Sequence, residues 1–98
     1  MTDDANLLAD LCRRLVAGRG LDNDLDTELH RALLGGTGPR EPWTASTDAV
    51  LYLLARVGAD LPGVLGRAAV DVATREGLEV VVTLPRALLA RGIEDLAA

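Results

Sequence analysis

Residues 60–83, DLPGVLGRAAVDVATREGLEVVVT, decide the fold, because they admit two periodicities and only one of them builds a sheet. With period two, residues 68–74 place Val70, Val72 and Thr74 on one face and Ala69, Asp71 and Ala73 on the other, as in a half-exposed strand. Arg75-Glu76-Gly77 then forms a three-residue hairpin turn in which Gly77 supplies a positive φ, and residues 78–83, with Val80, Val81 and Val82, return as the partner strand. With period 3.6, Leu61, Val64, Leu65, Ala68 and Val72 line one helical face, with Asp60 as cap and Pro62 in the first turn. Gly63 and Gly66 would each cost that helix about 1 kcal/mol. The hairpin is therefore the preferred reading, and the expected fold is α+β: three to four α-helices packed on a small antiparallel β-hairpin or sheet.

The flanking sequence reads as helix. Leu7, Leu8, Leu11, Leu15 and Val16 share one face over residues 5–17, with Asp3 or Asp4 suited to the cap and Gly18 and Gly20 ending the run. A second helix is expected over 23–34, with Leu25, Leu29, Ala32 and Leu33 inward and Gly35-Gly36 as its stop. After a Gly/Pro-rich loop, Thr44 or Ser46 can cap a third helix whose stripe is Ala49, Val50, Leu53, Leu54 and Val57, closed by Gly58. Asp48, Tyr52 and Arg56 fall four apart on another face of it and read as solvated. A last helix is expected over 85–97, with Thr83 as cap and Leu88, Leu89, Ile93 and Leu96 inward.

Ninety-eight residues fit a single domain, with 1–20 as an N-terminal helix, and bury one modest core. With 49% apolar and 26% charged residues the composition is globular. Phe is absent and the aromatic rings are Trp43 and Tyr52, so the core is aliphatic and the stacking platforms of single-strand binders are missing. The net charge of −5 opposes nucleic-acid and anionic-membrane binding, both of which need basic patches. That all ten basic residues are Arg fits a GC-rich coding sequence and is ancestry rather than function. An acidic start and the lack of any apolar run of about 18 residues predict a soluble, cytoplasmic protein. One cysteine, Cys12, permits no internal disulfide, and its place on an apolar stripe suits a buried small hydrophobe.

No constellation of catalytic or metal-binding type is legible. The alternating carboxylates of Asp22, Asp24 and Asp26 imitate the start of an EF-hand loop, but Thr27 stands where the turn glycine belongs and Leu33 where the bidentate glutamate belongs. His30 is alone, without a partner for metal or nucleophilic chemistry, and neither glycine cluster has a Walker or dinucleotide pattern. Arg67, Arg75, Arg86 and Arg91 cluster in the C-terminal third, and Thr83 opens a helix whose free N–H groups could receive a phosphate. These five are the candidate ligand-binding residues. No cofactor is implied.

Three segments carry a family resemblance. Residues 21–35, LDNDLDTELHRALLG, resemble the "LD-x-x-(I/L)-ALG" helix of small phage and prophage proteins grouped as the phage ABA sandwich domain. Residues 42–49, PWTASTDA, are similar to that family's "P-Y-T-A-S-x-D-A" helix start, and residues 83–90, TLPRALLA, to its closing "(T/S)-P-A-L-A-L" helix. The resemblance implies a phage or prophage origin and an α/β layered outline over 21–98, with no catalytic residues to transfer. The function then expected is that of a non-enzymatic accessory protein acting by binding, with a host or phage protein as a possible partner. Two alternatives stand beside it: an oligomeric sponge for a small anionic ligand such as an immune signalling nucleotide, and a virion or assembly component. A two-stranded hairpin also leaves free edges, so a homo-oligomer of at least two chains, associating at residues 68–83, is expected.

Overall fold

The computed structural model describes residues 2–72 and 82–97. They form five helices: α1 Thr2–Ala17, α2 Asn23–Leu34, α3 Thr47–Arg56, α4 Leu61–Val72 and α5 Leu84–Ala97. The helix stops and caps follow local chemistry. Asp22 accepts the Leu25 N–H at 3.0 Å to start α2, and Gly35, at φ 62°, ends it in the left-handed region that a side chain disfavours. Ser46, rather than Thr44, caps α3 by accepting the Ala49 N–H at 3.2 Å.

The expected α+β fold with a hairpin is overturned, since no strand occurs among the described residues and residues 68–72 of the expected first strand are helix. Residues 68–72 lie in the last turns of α4. Val64 and Ala68 are fully buried and Leu61 and Val72 pack against the same core, which is the 3.6-residue stripe without Leu65, whose side chain is 43% exposed, and Val70 is 66% exposed. The strand pattern would have put Val70 and Val72 on one buried face. Burying a Val or Leu side chain is worth roughly 1.5–3 kcal/mol. Several such side chains outweigh two helical glycines at about 1 kcal/mol each. Residues 73–81, which include the expected turn and most of the return strand, lie outside the described residues. The edge-strand contact expected for a second chain therefore has no described strand to use.

The core is organised about α5, which packs on α1, α3 and α4, while α2 packs on α1. Seven of its residues are buried, around most of its circumference, which suits a helix enclosed by three neighbours. A side chain at Gly92 would collide with Leu54 of α3, so this glycine sets how closely α3 approaches α5. Leu11, Leu15, Leu25, Leu29, Leu88 and Leu89 are fully buried, confirming an aliphatic core around the single tryptophan, Trp43, which is 2% exposed. Leu7, Val16 and Leu96, read as inward, are instead 38–47% exposed. The axes of α2 and α3 stay apart, with none of their Cα atoms within 8 Å of one another, although side chains of both join the same core. The loop between them fills the gap, and the candidate site lies there.

Candidate functional site

Of the expected ligand arginines, Arg86 and Arg91 are engaged within the fold and do not converge. Arg86 is buried at 3% exposure and donates Nε and Nη2 to the Gly20 carbonyl at 3.1 and 2.9 Å, and Nη1 to the carbonyls of Arg14 and Leu15 at 3.2 and 3.1 Å. It thus caps the C-terminal end of α1, where carbonyls lack helical partners and the dipole favours a cation. Arg91 forms a two-pronged pair with Asp71, both contacts at 2.7 Å, tying the end of α4 to α5. The guanidinium holds the Asp71 carboxyl below the usual carboxylate range against the opposing effect of burial. Arg86 and Arg91 are five residues apart on one helix, so they point about 140° apart around its axis. Arg67 stays exposed, 3.8 Å from Asp95, and Arg75 lies outside the described residues. The Thr83 carbonyl accepts the Ala87 N–H at 2.9 Å, but its buried hydroxyl finds no partner among the described residues and does not act as the expected cap.

The acidic run on α2 fastens the chain before α3. Thr44, 1% exposed, donates its N–H to Asp26 Oδ1 at 2.9 Å and accepts the Asp22 N–H on Oγ1 at 2.8 Å. Asp26 is fully buried, and burial pushes its carboxyl up, opposed by the Thr44 N–H and hydroxyl and by the charge of Arg40. Its Oδ2 has no partner among the described residues. His30, one turn further along, sets its Nε2 3.0 Å from the Thr37 carbonyl and 2.9 Å from that of Gly38, so this nitrogen carries the proton. Its ring lies 5.8 Å from that of Trp43. The lone histidine therefore holds a loop, and the carboxylate of Asp26, with the backbone N–H of Asp22, holds Thr44.

With the loop pinned at both ends, a groove of about 280 Å³ opens between it and α3. Gly38 passes beside the Arg56 guanidinium at the C-terminal end of α3, and the loop reaches the N-terminal end of the helix at Ser46, so the two run side by side in opposite directions. Leu34, Trp43, Ala49 and Leu53 supply apolar lining. Asp48, Tyr52 and Arg56 form the α3 rim, and Tyr52 is 75% exposed. No ion pair engages Asp48 or Arg56 among the described residues. The rim is the face that helical spacing marks as merely solvated. A composition-level signal was available, because the two Phe/Tyr/Trp-type rings of the chain, Trp43 and Tyr52, both line this groove.

Among the described residues no group of three His, Cys, Asp or Glu side chains could hold a metal ion, and no helix is long and apolar enough to cross a membrane. Cys12 is half-buried with Sγ 3.6 Å from the Ala90 carbonyl, and burial, followed by the charge of Glu94, raises its thiol above the ordinary value. A thiol held protonated in this way is a poor nucleophile. Compared with protein-family models, curated proteins and solved structures, the chain finds no match.

Proposed function

We propose that this chain is a non-enzymatic binding protein whose working surface is the groove between α3 and the loop of residues 35–46, and that the groove receives an aromatic or aliphatic side chain of another polypeptide. The observation that carries this reading is the placement of both aromatic residues there, one flooring the groove and one standing exposed on its rim. Buried aromatic anchors ringed by polar groups supply most of the energy at protein interfaces. The volume falls just below the roughly 300–1,000 Å³ of ordinary small-molecule pockets, which favours a side chain over a nucleotide-sized ligand. The nucleotide-sponge reading meanwhile loses Arg86 and Arg91 to internal contacts. Self-association into at least a dimer belongs to this proposal, as do the cytoplasm of an infected or lysogenic bacterium and a phage or prophage origin, both supported by the three family-like segments.

A photo-crosslinking amino acid placed at position 52, in the cell that makes the protein, tests the surface. Discrete protein adducts are expected at 52 and not at the exposed Arg13 of α1. Equal labelling at both positions, or none at 52, would remove the groove from consideration. Robust turnover by the purified protein in a panel of hydrolase and transferase assays would contradict the non-enzymatic reading.

A further inference from the structure

The rim of α3 is its own complement. Asp48, Tyr52 and Arg56 recur every four residues and therefore follow one side of the helix, acid at its N-terminal end, ring in the middle and base at its C-terminal end. Eight residues of helix separate the two charges along the axis by about 12 Å. Turning a second α3 antiparallel and laying it on the first places Asp48 against Arg56 of the second copy, Arg56 against its Asp48, and the two tyrosines side by side. A two-fold interface has this self-complementary property, in which residue i meets j and j meets i.

We infer that the polypeptide seated on the groove is a second copy of this chain, bound with α3 antiparallel to α3 about a two-fold axis at Tyr52; this rests on the groove being the working surface. Both rim charges are without an ion-pair partner among the described residues, and the dimer gives each one. Tyr52 is an exposed ring beside a groove with room for a ring, and each copy offers its tyrosine to the other's groove. Ala49 and Ala55 flank it at three residues on either side, so small side chains let the second helix approach. The two carboxylates of the lining, Glu41 and Asp48, face the incoming Arg56 together. A contact centred on a ten-residue helix is small, and the association is accordingly of the weak, micromolar class.

Sedimentation equilibrium at micromolar concentrations tests this with charge reversals. The unaltered protein should approach twice the 10.3 kDa chain mass. Asp48→Arg and Arg56→Asp should each weaken association by roughly tenfold or more, because like charges then face one another. The double reversal should restore the dimer. Rescue separates the interface from folding damage, since Asp48 also serves the first turn of α3 and a folding defect would not be repaired by the second change. A monomer throughout the range, a dimer indifferent to both single reversals, or dissociation without rescue would each overturn the inference. A monomer that still gives crosslinks at position 52 to a different protein would leave the groove as the working surface and remove only the second copy as its occupant.

Discussion

Arg86 shows how a residue can be legible in type and misread in role. An arginine near the start of a helix reads as a ligand for anions, yet here its guanidinium lies at the end of a different helix and uses four of its five N–H groups on three backbone carbonyls. Nothing local in residues 83–90 distinguishes the two roles, because the partners are more than 60 residues away along the chain. Arg86→Met should lower stability by about 2–4 kcal/mol, the scale of losing charged hydrogen bonds and stranding buried acceptors. The check is a urea unfolding curve, with the midpoint falling at an unchanged slope. Arg86→Lys should recover little, because an ammonium cannot fork across separate carbonyls. An unaltered midpoint in Arg86→Met would mean that α1 does not depend on this cap. The opposite lesson comes from Gly35, whose chemistry is local: the apolar stripe and this glycine stop let α2 be read over 23–34, where it lies.

At the scale of elements, α4 was the segment whose reading failed. Its glycines, Gly63 and Gly66, argue against a helix in isolation, and the alternation at 68–74 argues for a strand. What decides between them is burial against α5 of Val64 and Ala68, and the sequence of residues 60–83 does not contain that partner. The other helices were legible because each has an apolar stripe between strong stop signals. Gly66 faces open space, with nothing within 4 Å of where a side-chain carbon would stand. Gly66→Ala should therefore stabilise the protein by about 0.5–1 kcal/mol, since the change favours helix and meets no neighbour. A thermal melt raised by a few degrees fits α4 as a helix. A lowered melting temperature would be the mark of a backbone conformation at position 66 that only glycine accepts.

At the scale of the whole molecule, α5 gathers α1, α3 and α4, α2 rides on α1, and the loop of residues 35–46 bridges α2 and α3. The site is a by-product of that arrangement. It was illegible in the sequence because Leu34, Trp43 and Leu53 come from three separate elements, and because a solvated rim and a working rim look alike in a helical pattern. Whether this is the surface the protein uses can be measured without altering a residue, from the backbone amide resonances followed as the isotopically labelled protein is diluted. Shifts confined to α3 and to the loop of residues 35–46, with α1 and the outward face of α4 at Leu65 and Val70 unmoved, are the predicted result. Resonances that do not change with concentration, or changes centred on Leu65 and Val70, would contradict it.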